Sequence, residues 1–180
     1  MIYVFLANGF EETEAIAPID ILRRSELDVK TVGIGEEVVV SSHGVAMIPD
    51  ITEVDFVPSD DIDMIVLPGG MPGTLNLEKS RTVQDAIDFC AKNDKYIAAI
   101  CAAPSIIGKK GLLEGKKATC FPGFEQFLEG AEYTGEGVVH DGKIITGKGP
   151  GAAIEFGLKL SEILAGTPKA VKVKASLQCS

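Results

Sequence analysis

One cysteine lies where the chain passes from an apolar segment to a run of small residues. Cys101 follows residues 95–100, which read as a buried strand, and precedes Ala102 and a short predicted helix ending near residue 109. A nucleophile on a sharp turn between a strand and a helix has this arrangement. The positive end of the helix dipole would lower the thiol pKa from ~8.5 toward ~4–7. The pattern indicates a nucleophilic thiol, and an inert buried cysteine is the alternative.

Three glutamates near the start of the chain supply candidate acid–base groups. Glu11 and Glu12 are expected on the solvated first turn of a helix, where the helix dipole favours negative charge. Glu14 is followed by the apolar residues 15–17, so we expect its side chain to turn inward. A carboxyl group beside a thiol accepts its hydrogen bond or, when protonated, donates one. Cys101 and Glu14 would then form an acid–base pair that needs no histidine.

A pair of glycines follows another predicted strand. Residues 63–67 lead through a proline into Gly69 and Gly70. Backbone N–H groups at such a junction are candidate donors to a developing oxyanion, and a plain tight turn is the alternative. The two histidines, His43 and His140, fall in predicted hairpins and are expected at the surface.

Alternating strands and helices must position these residues. Strands are predicted at 2–7, 28–34, 63–67, 95–100 and 117–120, hairpins at 36–40 with 45–48 and at 137–140 with 143–146, and helices at 11–24, 80–93, 101–109 and 150–164. This alternation is typical of an α/β fold with a mainly parallel sheet covered on both faces. Such sheets bind ligands beyond the carboxyl ends of their strands. We predict one domain over 1–166 and a flexible basic tail over 167–180.

The charge balance excludes several classes of partner. Seventeen Lys and Arg against 26 Asp and Glu give a net charge of −9. An acidic surface repels phosphate backbones and anionic lipids, so neither nucleic acid nor membrane is an expected partner. No apolar run approaches the ~20 residues of a membrane span, and the start lacks the basic segment of a secretory signal. We therefore expect a cytoplasmic protein with reduced thiols.

Cofactor and metal motifs are missing from the sequence. It contains no glycine-rich dinucleotide fingerprint and no phosphate loop. No pair of its four cysteines has CxxC spacing, and two histidines add little to a zinc ligand set. We predict neither a cofactor nor a metal.

Four segments at these junctions resemble the ThiJ/PfpI superfamily, and within it the Parkinsonism-associated deglycase branch with its bacterial relatives. They are LANGFEETEAIAPIDILRR (6–24), IVLPGGMPGTLNL (65–77), AAICAAPSIIG (98–108) and GKGPGAAIEFGLKL (147–160). The resemblance runs in order over residues 2–165. It implies a flavodoxin-like three-layer sandwich of the class I glutamine amidotransferase-like type, and a homodimer. In the dimer, Arg24 and the segment 36–48 are expected contributors.

The resemblance also implies roles for individual residues. Cys101 matches the family's oxidisable nucleophile, and Glu14 matches the glutamate that hydrogen-bonds its sulfur and is protonated in many members. Gly69 and Gly70 match the loop whose amides face the cysteine, and Ala102 lies beside it at the helix start. The turn that borders the family's site matches Gly149, Pro150 and Gly151.

The chain departs from the family pattern at several positions. Phe121 stands where many relatives have a histidine near the cysteine, so a histidine general base is missing. Ala102 stands where protease-like members have a histidine, which disfavours a peptidase. His43 stands where the related branch often has an arginine. Cys120 is a candidate to resolve an oxidised Cys101, and an unrelated buried thiol is the alternative.

Two functions compete on this reading. The first is a cofactor-free enzyme of the glyoxalase or deglycase type, in which Cys101 attacks a small reactive carbonyl and Glu14 moves protons. The second is an oxidative-stress sensor or chaperone-like protective protein, in which an oxidant converts Cys101 to a sulfinate held by Glu14. Thiazole monophosphate biosynthesis, a label attached to the family, has no support in these residues.

Overall fold

A seven-stranded sheet forms the centre of the molecule, a computed structural model that describes residues 1–179. Its strands, from one edge to the other, are β10 (Val138–Asp141), β11 (Ile144–Gly147), β7 (Tyr96–Ile100), β6 (Met64–Leu67), β1 (Ile2–Ala7), β2 (Val29–Ile34) and β5 (Ile51–Thr52). Neighbouring strands are parallel except for the antiparallel pair β10–β11. The mainly parallel sheet predicted from the sequence is therefore confirmed.

Shorter elements complete the chain. Outside the main sheet, β3 (Val39–Val40) pairs with β4 (Ala46–Met47), and β8 (Lys117–Ala118) pairs with β9 (Glu132–Tyr133). The α-helices are α1 (Glu12–Arg24), α2 (Gly73–Lys79), α3 (Arg81–Lys92), α4 (Pro104–Gly108), α5 (Ala153–Ala165) and α6 (Thr167–Ser176), with 3₁₀ turns at Glu125–Phe127 and Pro150–Ala152. No helix among the described residues is long and apolar enough to cross a membrane.

Two hydrophobic clusters, one on each face of the sheet, produce three layers. On one face, α1 and α5 bury residues such as Leu22 and Phe156 against the strands. On the other face, α2, α3 and α4 contribute Leu77, Ile87 and Ile106. Central strands covered on both sides lose their exposed face, which is why β1 is apolar and buried at all six positions. This is the predicted three-layer α/β sandwich.

The parallel strands bring the predicted functional segments to one edge of the sheet. The chain leaves the carboxyl ends of β1, β6, β7 and β11 and enters α1, α2, α4 and the 3₁₀ turn before α5. Both predicted hairpins form, as β3–β4 and β10–β11. The strand predicted at 117–120 is shorter, since β8 has two residues and pairs only with β9. The helix α2 was not predicted.

The C-terminal segment corrects a prediction. The sequence suggested a flexible tail over 167–180, whereas the structure has α6 packed against α5. Within α6, Ala170 and Val173 are buried, and Lys169 forms an ion pair of 2.8 Å with Glu26. A spacing of three residues puts these two apolar side chains on one helix face, a pattern that the intervening lysines conceal.

Candidate active site

Cys101 occupies a sharp turn between β7 and α4. Its φ is +65°, a left-handed conformation that non-glycine residues adopt at a cost of ~1–3 kcal/mol. Two backbone hydrogen bonds of 2.9 Å hold the turn: the Cys101 N–H donates to the Gly147 carbonyl, and the Phe121 N–H donates to the Cys101 carbonyl. The surrounding strands therefore enforce the elbow that the sequence predicted.

Glu14 reaches this elbow from the first turn of α1. Its side chain is fully buried, and its Oε2 accepts a hydrogen bond of 2.9 Å from the Gly69 N–H. The other oxygen, Oε1, is buried and has no hydrogen-bond partner among the described residues. The Cys101 thiol is the further group that interacts with this carboxyl. The predicted inward turn of Glu14 thus brings a carboxyl to the sulfur.

Gly69 is the contact point between the two side chains. A Cβ added to Gly69 would lie 2.6 Å from the Cβ of Cys101 and 2.6 Å from Oε2 of Glu14. Carbon atoms in contact are ordinarily ~3.5–4.0 Å apart, so only glycine fits there. The close packing fixes the relative positions of the thiol and the carboxyl.

The environment raises the pKa of both groups. Burial, with a smaller contribution from the charge of Glu11, raises the pKa of Glu14 to about 7. Burial raises the pKa of the Cys101 thiol as well, and the neighbouring Glu14 carboxylate adds to the rise. The lowered thiol pKa predicted from the helix dipole is therefore wrong: α4 has five residues and starts only at Pro104, whereas the thiol is almost completely enclosed.

Two acids in contact titrate as a pair rather than separately. Above about pH 7 the pair holds one proton. That proton resides on the sulfur or on the Glu14 carboxyl, and in the second arrangement the sulfur is a thiolate next to a neutral acid. The backbone N–H groups of Ala102 and Gly70 act on the pKa of the Cys101 thiol in the lowering direction and so favour this reactive arrangement.

The glycine loop divides its amides between the two groups. The Gly69 N–H donates to Glu14 and so does not face the sulfur, contrary to the role expected of it. Gly70, with a φ of +89°, and Ala102 both direct their amides to Cys101. Gly69 therefore positions the acid, whereas Gly70 and Ala102 are the candidate oxyanion donors.

The other acidic side chains and the two histidines singled out from the sequence are partly or fully exposed. Glu11 caps α1 by accepting a hydrogen bond of 2.7 Å from the Glu14 N–H. Glu12 pairs at 2.9 Å with His43, whose side chain is 71 % exposed. The ligand-type atoms of these three residues lie within 4.8 Å of one another, on an exposed surface. His140 is also exposed and contacts the Gly142 carbonyl, so both histidines lie at the surface, as predicted.

Cys120 does not pack with Cys101. It is completely buried in the hydrophobic cluster of one sheet face, whereas Cys101 belongs to the cluster of the other face. Burial raises the pKa of the Cys120 thiol to about 11. These observations favour the unrelated buried thiol over the resolving thiol.

Phe121 and the turn Gly149–Pro150–Gly151 line a cavity of about 450 Å³ beside the elbow. The ring of Phe121 is partly exposed and lies against Gly149. Sequence reasoning missed two further residues of the lining, Lys148 and Glu155. Both belong to the matched segment 147–160, where charged residues flanking the GPG turn were a usable signal.

Comparisons with known proteins agree with the fold. The DJ-1/PfpI family matches residues 1–163, and the chain belongs to this family. Protein dj-1beta of Drosophila melanogaster is 41% identical over 177 residues, 97% of this chain and 94% of that protein. A Caenorhabditis elegans protein named glutathione-independent glyoxalase DJR-1.2 is 34% identical over 161 residues, 88% of this chain and 85% of its own. The solved structure of oxidized Toxoplasma gondii DJ-1 is similar with a TM-score of 0.91 and 34% identity, over 99% of this chain and 98% of that one.

Proposed function

We propose that this protein is a cofactor-free glyoxalase of the deglycase-related type, which converts small 2-oxoaldehydes to 2-hydroxy acids. The observation that carries the proposal is the buried Cys101–Glu14 pair, which retains one proton near neutral pH beside the amides of Gly70 and Ala102. The worm relative that bears the name of a glutathione-independent glyoxalase supports the same chemistry.

The pair supplies each proton transfer of this reaction. The Cys101 thiolate adds to the aldehyde carbon, and the carbonyl oxygen takes the proton of Glu14, which gives a hemithioacetal. The Glu14 carboxylate then removes the proton from the former aldehyde carbon and returns it to the adjacent carbon, while the hydroxyl proton passes from the first oxygen to the oxygen of that adjacent carbon, which leaves a 2-hydroxy thioester. Water cleaves the thioester into the 2-hydroxy acid and the free thiol. The amides of Gly70 and Ala102 would stabilise negative charge on oxygen during these steps.

The test is lactate formation from methylglyoxal, followed enzymatically for each variant. We expect Cys101→Ser to abolish turnover and Glu14→Gln to reduce it by at least ~100-fold, since the proton carrier next to the sulfur is lost. Cys179→Ser is the matched control, because this partly exposed thiol lies outside the site and its loss should leave the rate unchanged. Equal lactate production by wild type and Cys101→Ser would exclude the proposal.

A redox sensor is the second candidate, favoured by the similarity to a DJ-1 structure described as oxidized. A protonated Glu14 would donate a hydrogen bond to a Cys101 sulfinate and stabilise it at that oxidation state. Peroxide titration with intact-mass measurement distinguishes the two, because a sensor consumes oxidant stoichiometrically and shows no carbonyl turnover. A sulfinate equally persistent in Glu14→Gln would remove the basis of this candidate.

We further propose a cytoplasmic homodimer formed through α1 and the β3–β4 hairpin. Ile16 and Val45 are about half exposed and line one shallow depression, so this face offers apolar surface to a partner. Arg24 pairs with Asp20 on the same helix at 2.7 Å. Sedimentation velocity tests the proposal: we expect a dimer for wild type and a monomer for Ile16→Lys, and a monomeric wild type would refute it.

A further inference from the structure

The lining of the cavity combines two charged side chains with apolar and small residues. Lys148 donates a hydrogen bond of 3.0 Å to the Gly135 carbonyl, and Glu155 lies against Gly137. The rest of the lining consists of Phe121, two prolines and small residues. Both charged side chains thus have neighbours at residues 135–137, whereas Phe121 contributes an apolar surface to the cavity.

Backbone hydrogen bonds connect Phe121 to Cys101. Phe121 donates its N–H to the Cys101 carbonyl, and the Cys101 N–H donates to Gly147, two residues before Gly149. The ring itself rests on Gly149, where an added Cβ would lie 3.1 Å from ring atom Cδ2. Phe121 is therefore fixed to the elbow on one side and to the GPG turn on the other.

Phe121 nevertheless remains 43% exposed. Contact of an exposed aromatic face with apolar or aromatic ligand surface is favourable, because it removes apolar area from water. The 2.9 Å hydrogen bond between the Phe121 N–H and the Cys101 carbonyl makes the backbones of the two residues neighbours. From this we infer that the substituent of a carbonyl compound attached to the sulfur of Cys101 extends toward the Phe121 face.

We infer that Phe121 selects 2-oxoaldehydes with an aromatic or bulky apolar substituent, such as phenylglyoxal, over methylglyoxal. This inference rests on the proposed glyoxalase function for its substrate class. One methylene group in an apolar pocket changes specificity by ~10–200-fold, so we expect at least a ~10-fold preference for the aryl compound in this half-open site. Phe121 thereby acts as a specificity-determining residue that takes no part in proton transfer.

The decisive experiment measures alkylation of Cys101, which needs no turnover. The sulfur attacks the methylene carbon of 2-bromoacetophenone or bromoacetone, and bromide leaves as the carbon–sulfur bond forms. Peptide mass spectrometry gives the rate at Cys101, and each rate is divided by that of free N-acetylcysteine. We expect a corrected aryl-to-methyl ratio of ~10 or more in wild type, near 1 in Phe121→Ala and between these values in Phe121→Leu.

Tyr133→Ala is the matched control, because this side chain has a similar exposure of 39% and does not line the cavity. It should retain the wild-type ratio. A ratio that Phe121→Ala leaves unchanged would overturn the inference, whatever the enzyme's turnover. In parallel, mandelate from phenylglyoxal and lactate from methylglyoxal are measured. Absence of both products with an intact alkylation ratio would refute the proposed glyoxalase function and keep the assignment of Phe121 as the selecting surface.

Discussion

The buried carboxyl of Glu14 makes the stability of the fold depend on pH, and the substitution Glu14→Gln should remove this dependence. The pKa of Glu14 is about 7 in the folded chain against an ordinary value of 4.5. Because the folded-state pKa is the higher one, the contribution of the neutral acid is fully present below about pH 4.5 and is lost as the pH rises through about 7.

The expected change in unfolding free energy follows from the size of the pKa shift of Glu14. A rise from 4.5 to about 7 corresponds to about 3 kcal/mol of unfolding free energy. Glutamine is neutral at every pH and nearly the same size, and its oxygen still accepts the hydrogen bond of the Gly69 N–H. The variant should thus match wild type at low pH and exceed its stability by roughly 3 kcal/mol above neutrality.

Urea unfolding followed by circular dichroism at about pH 5 and about pH 8 measures the effect. Other carboxylates also contribute. Asp50, for example, has a lowered pKa because hydrogen bonds from Thr31 and the charge of Arg23 outweigh its burial, so its contribution is lost as the pH falls. The quantity to compare is therefore the difference between wild type and variant at each pH, with Glu36→Gln on an exposed loop as the control. An equal difference at both pH values would refute the assignment of a raised pKa to Glu14.

Three further predictions concern packing. Gly69→Ala introduces a Cβ 2.6 Å from two side chains, so we expect a loss of ~1–3 kcal/mol and slower alkylation of Cys101, measured by urea unfolding and mass spectrometry. Val173→Asp buries a charge under α6 and should cost at least ~2 kcal/mol, whereas Val171→Asp, at a position 60% exposed, should be nearly neutral; equal thermal melts would contradict this helix packing. Ser25 and Ser161 join α1 to α5 through a buried hydroxyl pair of 2.6 Å, so each alanine substitution should cost ~1–2 kcal/mol and the double variant less than their sum; additive losses would show that the pair is not coupled.

The sequence located the site because of how parallel sheets are built. Cys101 and Glu14 are 87 positions apart, yet Cys101 directly follows one predicted strand and Glu14 lies in the first turn of the helix after another, and such junctions converge at one edge of the sheet. The apolar residues after Glu14 were enough to predict that its side chain turns inward. The topology of the sheet brings the two residues together, and the pattern of strands and helices in the sequence predicts that topology.

The electrostatics of the site could not be predicted in the same way. The direction of the Cys101 pKa depends on how completely the thiol is enclosed, and burial arises from residues distant in sequence. The role of Gly69 depends on which way one N–H points, which a Gly-Gly pair does not encode. Similarly, α6 was missed because two buried residues among lysines become informative only once α5 is in place beneath them.

The left-handed conformation of Cys101 has a consequence for how this protein evolves. At a φ of +65°, glycine would relieve the backbone strain, and it would also free the interior from an ionisable thiol beside an ionisable acid. Replacement of the nucleophile is therefore expected to make the chain more robust to heat while ending its chemistry. Substitutions that stabilise the fold are therefore expected to include replacements of this cysteine, and a lineage would keep it only while selection acts on the chemistry proposed for the thiol.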